Sequence, residues 1–235
     1  MEKLAYALWK RDESDQAFAD RLLTEVASML VDLGARGVKV SVVDDAVAAG
    51  GGMRISAVEP PKSALVTCWV DQAQERADLE AVLEASATRI AGYLVLESRA
   101  LFTPHDHLPG PGQRTEGFHL VTGIVPRAGL DHRGFIDYWQ QTFRDIAIDC
   151  QATWDYVRNE VVRPLTPEAP AWAGIVEEGF PTAALDDSSA FFDAVGDEER
   201  LAANQQRLFD SVQEFLDLGQ VDSHPMSEYV FEPLP

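Results

Sequence analysis

Residues 4–9 are an unbroken apolar run, the pattern of a strand covered on both faces. Residues 10–15 are polar, and Ser14 or Asp15 can cap the next element. Phe18, Leu22, Val26, Met29 and Leu33 then fall at steps of four, four, three and four, an apolar stripe at helical period. Gly34 and Gly37 end that helix. Val38, Val40 and Val42 alternate with Lys39 and Ser41, which predicts a strand. Residues 46–61 hold Gly50, Gly51, Gly52, Pro60 and Pro61 and read as a loop, without the spacing of a phosphate cradle. Residues 64–70 predict a third strand. Leu79, Val82, Leu83, Ser86 and Ile90 stripe a second helix, and residues 93–97 predict a fourth strand. The order is β-α-β-β-α-β.

Residues 103–117 contain Pro104, Pro109, Gly110, Pro111, Gly112 and Gly117 with no apolar period, and read as a linker. Beyond it the plan recurs. Sliding Phe18 onto Phe135, an offset of 117, lays the first strand on residues 121–125. The same offset sets Ser14 on Asp131, Leu22 on Trp139 and Val26 on Phe143, with no gap from residue 3 to residue 26. Strands are expected near residues 154–162, 173–180 and 229–231, with helices across 188–217. The predicted fold class is α+β. Two tandem ferredoxin-like β-α-β-β-α-β units, residues 1–102 and 118–235, pack sheet to sheet as a fused α+β barrel.

Composition narrows the partners. Nineteen basic against thirty-nine acidic side chains leave a net charge of −20, which argues against nucleic acid and anionic membrane. No apolar run reaches the ~18 residues of a membrane span. The N-terminal run is too short for a signal peptide, so the cytoplasm is the expected address. The two cysteines, Cys68 and Cys150, lie in different halves without metal-type spacing, as reduced thiols would.

The second half resembles the EthD family of dimeric α+β barrel proteins. Phe135-Ile136-Asp137-Tyr138-Trp139 is similar to the family's first-helix Phe-x-x-Tyr-Trp. Tyr156-Val157-Arg158-Asn159 resembles its Tyr-Val-x-Asn strand, and Gly174-Ile175-Val176-Glu177 with Phe180 its Gly-Ile-x-Glu-x-x-Phe strand. Glu228-Tyr229-Val230 resembles its closing Glu-x-Val. The resemblance implies the barrel fold and a small-molecule site between helices and sheet, and less about activity, since this superfamily hosts lyases, isomerases, monooxygenases and haem proteins. The family's first helix places a His four residues after the Trp. Here that position is Phe143, and its repeat mate is Val26.

Candidate chemistry therefore rests on other groups. His119, Tyr138 and Glu177 are the expected acid–base residues, with Trp139, Phe143, Trp154 and Phe180 lining the site. A buried Glu177 is expected to have a raised pKa unless it pairs with a group such as Arg158 or Arg163. His105, Asp106 and His107 sit in the linker without an evident third ligand; no metal or other cofactor is expected. His224, before Pro225, reads as a loop residue. No Ser-His-Asp order, G-x-S-x-G or P-loop occurs. Two function classes remain: a cofactor-independent lyase or isomerase acting on an apolar or aromatic oxygenated molecule, and a non-catalytic binding or accessory barrel. Either acts as a monomer or homodimer.

Overall fold

The structure is a computed structural model and describes residues 1–104, 107 and 109–232. His105 and Asp106 lie outside the described residues.

Among the described residues eight strands carry the fold: β1 (Glu2–Trp9), β2 (Arg36–Val42), β3 (Ala64–Val70), β4 (Arg89–Leu101), β5 (Phe118–Ile124), β6 (Asp155–Pro164), β7 (Gly174–Phe180) and β8 (Asp222–Val230). They close one antiparallel barrel in the order β1-β3-β2-β8-β5-β7-β6-β4. The expected barrel is present as a closed one, and residues from the strands of both halves meet in one interior core. The strands of the two halves join edge to edge through β2–β8 and β4–β6, and the barrel has no free edge. Closure removes unpaired backbone groups that two separate sheets would leave at their margins.

Strand alternation then creates two environments. On β1, Leu4, Tyr6 and Leu8 face outward under helices, while Lys3, Ala5, Ala7 and Trp9 face the barrel interior. Outside the first half lie α1 (Asp15–Arg21), α2 (Ala27–Asp32) and α3 (Ala77–Ser86). Outside the second lie α4 (His132–Asp137), α5 (Arg144–Cys150), α6 (Ser188–Phe191) and α7 (Glu198–Phe215).

The first helix of each half is interrupted by a π-helical stretch, Leu22–Val26 and Tyr138–Phe143. This corrects the predicted stripe. Phe18, Leu22, Val26 and Leu30 are buried, whereas Met29 and Leu33 are about half exposed. A π turn takes an extra residue, so the buried face advances in steps of four beyond Val26. The second half repeats the pattern at the same offset with Phe135, Trp139, Phe143 and Ala147, all buried. The caps repeat too: Ser14 accepts from the Ala17 amide and Asp131 from the Gly134 amide.

Two further differences have local causes. The triple glycine lies within a 3₁₀ helix, Asp45–Met53, capped by Asp44. Gly50 there lies so close to Leu185 and Pro225 that a Cβ would stand 2.7 and 2.9 Å from their side chains. The second is that β8 starts at Asp222, so His224 and Pro225 are strand residues. Ser223 bonds through both N–H and C=O to Ile55 on the side away from β5, and Pro225 turns its nitrogen to that side. The β2 ladder has already ended at the Val42–Ser227 pair, so the missing N–H leaves no gap.

Candidate functional site

Between the outer face of the second-half strands and the helices lies a cavity of about 350 Å³. Leu120, Thr122 and Ile124 of β5 and Val176 and Glu178 of β7 form its floor. Trp139 and Phe143 of the π-interrupted helix, Phe191 of α6 and Leu208, Val212 and Phe215 of α7 form much of its walls. The wall is nearly all apolar. Among the described residues Glu178 is the one ionisable side chain on it, accompanied by the neutral polar groups of Gln151, Thr122 and Ser223.

Glu178 alternates with Glu177 along β7, so the two carboxylates point to opposite sides of the barrel wall. Glu178 is 7% exposed, and its Oε1 has no hydrogen-bond partner. Burial pushes its pKa up to about 8, so it is mostly neutral at pH 7. Tyr156, its cross-strand neighbour on β6, is also pushed up by burial, and its hydroxyl accepts from Trp139 Nε1 at 3.0 Å. The Trp139 ring rests on Gly174, where a Cβ would stand 2.6 Å from it. Trp139→Ala is therefore expected to lower stability by about 3–5 kcal/mol, since the ring is fully buried although one edge borders the cavity. Equilibrium denaturation measures this.

Glu177 faces the barrel interior, and its expected pairing is corrected in partner. Arg158 points outward, donating to Ser98 Oγ and the Gln140 carbonyl. The partners of Glu177 are Lys39 at 2.7 Å, Lys3 at 3.7 Å and the Asn159 amide at 3.0 Å. Burial alone would raise its pKa, but the two ammonium groups and the Asn159 amide outweigh it and hold the carboxyl well below the usual range. Burial likewise disfavours the Lys39 ammonium, yet Glu177, Glu228 and Asp155 together hold it above its ordinary value. Lys3 also donates to Asn159 Oδ1 at 2.7 Å and Glu97 at 2.5 Å.

His119 shares this interior, with Trp154 edge-on at 5.2 Å. Trp154 packs against the inner side of Gly179. Tyr138 lies elsewhere, its hydroxyl 3.1 Å from Ser211 Oγ in an open groove along α7. Phe180 is buried in a stack with Phe118 and Phe191. Of the seven residues singled out from sequence, Trp139 and Phe143 thus line the outer cavity. His119, Glu177 and Trp154 belong to the interior, and Tyr138 shares neither space. Glu178 was passed over in favour of its neighbour; the signal available was alternation, which put one of the two glutamates on each face.

The interior opens at one barrel end into a chamber of about 460 Å³, lined by Lys39, Arg99, Asp155, Glu228, Pro109, Pro111 and Phe231 among others. Toward the other end, buried Lys62 is bonded to Asp222, and His224 Nε2 lies 3.3 Å from Asp222 and 3.2 Å from Ser56. Burial lowers Lys62 to about 8, with Asp222 opposing the change.

This closed antiparallel barrel with helices on its outside is a fold the chain shares with a solved structure. An anthrone oxidase-like protein superposes with a TM-score of 0.51 at 13% identity, over 98% of this chain and 93% of that one. A monooxygenase-like protein from Lactobacillus acidophilus NCFM gives 0.48 at 8% identity, over 99% and 97%. A mutant chlorite dismutase from Candidatus Nitrospira defluvii gives 0.47 at 10%, over 96% and 90%. No family model and no curated protein matches the chain. Among the described residues no helix is long and apolar enough to cross a membrane.

Proposed function

We propose that this protein binds an apolar or aromatic oxygenated small molecule in the cavity beside Glu178 and acts on it by proton transfer. The observation that carries this reading is the single carboxyl group on an apolar wall, with a pKa of about 8 and an unpartnered oxygen. A neutral carboxylic acid donates a hydrogen bond to a ligand carbonyl or phenol oxygen, and a group titrating near neutrality can both give and take a proton. The reaction class is that of a cofactor-independent lyase, isomerase or decarboxylase. The proton-transfer group is Glu178; Trp139 and Phe143 border the ligand. Haem is disfavoured, because the described residues lining the cavity include no His, Cys, Met or Tyr to ligate its iron.

The same reading takes the chain as an EthD-like tandem of two ferredoxin-like units, residues 1–102 and 118–235, joined by 103–117. The repeated π turn, the repeated caps and the matching strand orders, β4-β1-β3-β2 and β8-β5-β7-β6, support it. Because one chain closes the whole barrel, a monomer suffices, and a homodimer would form through other surfaces. The expected address is the cytoplasm.

The test is a thermal-shift screen of aromatic ketones, phenols and quinones, with turnover of every hit followed by absorbance. Binding is expected to vanish in Val176→Trp, which fills the cavity. Turnover is expected to fall by about 10²–10⁴ in Glu178→Gln. Hits that bind but never turn over would support the accessory-protein reading, which Phe143 favours by standing where relatives are expected to carry a histidine. Hits unaffected by Val176→Trp would place binding elsewhere and sink the proposal.

A further inference from the structure

The barrel interior holds a second set of groups, separate from the cavity of Glu178. His119 on β5, Asp155 on β6 and Glu228 on β8 are all buried, and each offers a donor atom within 4.8 Å of the others. His119 Nε2 stands 3.5 Å from Asp155 Oδ2 and 3.4 Å from Glu228 Oε2. Both ring nitrogens of His119, and Asp155 Oδ1, lack a hydrogen-bond partner at exposures of 0% and 1%. Leaving such groups unsatisfied is costly. The separations are long for hydrogen bonds. They match the edge of a coordination shell, since donors about 2.1 Å from one ion at tetrahedral angles stand about 3.4 Å apart.

Charge points the same way. The largely buried groups around this space include four carboxylates, Glu97, Asp155, Glu177 and Glu228, against three cations, Lys3, Lys39 and Arg99. Lysine and arginine thus leave one carboxylate unmatched, and among the described residues no Lys or Arg contacts Asp155, whose ionisable neighbour is His119 at 3.5 Å. Lys39 lies 2.7 Å from Glu177 and 3.0 Å from Glu228, so it keeps a partner when Glu228 turns to an ion. Asp155 and Glu228 also line the 460 Å³ chamber, which provides access.

We propose that His119, Asp155 and Glu228 bind a divalent transition-metal ion, with an open coordination position facing that chamber. One imidazole and two carboxylates suit zinc, iron(II) or manganese. Three protein ligands with an open position is the arrangement of reactive rather than structural metal sites. Lys39 and Arg99 on the chamber wall would favour an anionic oxygen ligand there.

The full chain, stripped with a chelator and dialysed, is titrated with Co²⁺ and Zn²⁺ by absorbance and calorimetry. One ion per chain at micromolar concentration is expected, with a raised Tm. Asp155→Asn and Glu228→Gln, which keep side-chain shape, should each weaken binding by at least the about 10–100-fold that outer-shell changes cause. In the wild-type protein Mn²⁺ should selectively broaden the His119 ring resonances, a readout that needs no variant. No stoichiometric uptake, uptake unchanged in both variants, or broadening confined to other histidines would each overturn the proposal.

Discussion

Lys39→Met is expected to lower stability by about 3–5 kcal/mol at pH 7, the scale seen when one member of a buried ion pair is removed. Lys39 Nζ is the closest cation to both Glu177 and Glu228, and the loss leaves four interior carboxylates facing two cations. The effect has a pH signature. Glu177 has a folded-state pKa below its ordinary value near 4.5, so the stability it contributes is present above about pH 4.5 and is lost as pH falls below it. The variant lacks most of that contribution. The gap between wild type and Lys39→Met should therefore be widest at neutral pH and should narrow below pH 4. Urea denaturation at pH 3.5 and pH 7 measures both. A loss under about 1 kcal/mol at pH 7 would mean that the interior carboxylates take their compensation from elsewhere.

The adjacent residue should behave in the opposite sense. Glu178 has a folded-state pKa raised to about 8 from an ordinary 4.5. Between those values the unfolded chain has given up a proton that the folded chain keeps, so stability falls as pH rises from about 4.5 and levels off above 8. A tenfold change in proton affinity is worth about 1.4 kcal/mol, which puts the total at several kcal/mol as an upper figure. Glu178→Gln has no proton to lose. It is expected to match the wild type at pH 5 and to exceed it by a few kcal/mol at pH 9, provided its amide finds partners at the cavity wall. Parallel pH-stability curves for the two proteins would show that Glu178 is hydrated rather than buried.

These two neighbours illustrate what local pattern carries. Alternation along β7 is enough to place Glu177 and Glu178 on opposite faces. It does not say which face is polar. That is decided by Lys3 and Lys39, which lie 174 and 138 residues away along the chain and reach Glu177 only because the barrel closes. The apolar run of β1 reads correctly as a strand covered on both sides, but the two covers differ. One is the helical layer; the other is an interior in which Ala5 and Ala7 leave room for Tyr93, Trp172 and their neighbours.

The helical part of the offset of 117 was likewise legible, since the caps Ser14 and Asp131 and the buried Phe18, Leu22 and Val26 fall on matched positions with Phe135, Trp139 and Phe143, although the first strands are out of register, Leu4 facing outward and Val121 inward. The π turn at that repeat was not. It shows only as buried residues at steps of four, Phe18, Leu22, Val26 and Leu30, where a regular helix would have used Met29. His119, Asp155 and Glu228 escaped notice as a group for the same reason as the lysines. Each lies on a separate strand, and their spacing along the chain has no period.

By itself, then, the sequence determined the elements, their order and their two-sided burial, since each rests on spacing within a few residues. Only the tertiary structure decided the edge-to-edge closure through β2–β8 and β4–β6, the charged interior and the neutral carboxyl on the outer wall. Those depend on partners far apart in the chain, and the free energy of a buried charge is set by what surrounds it.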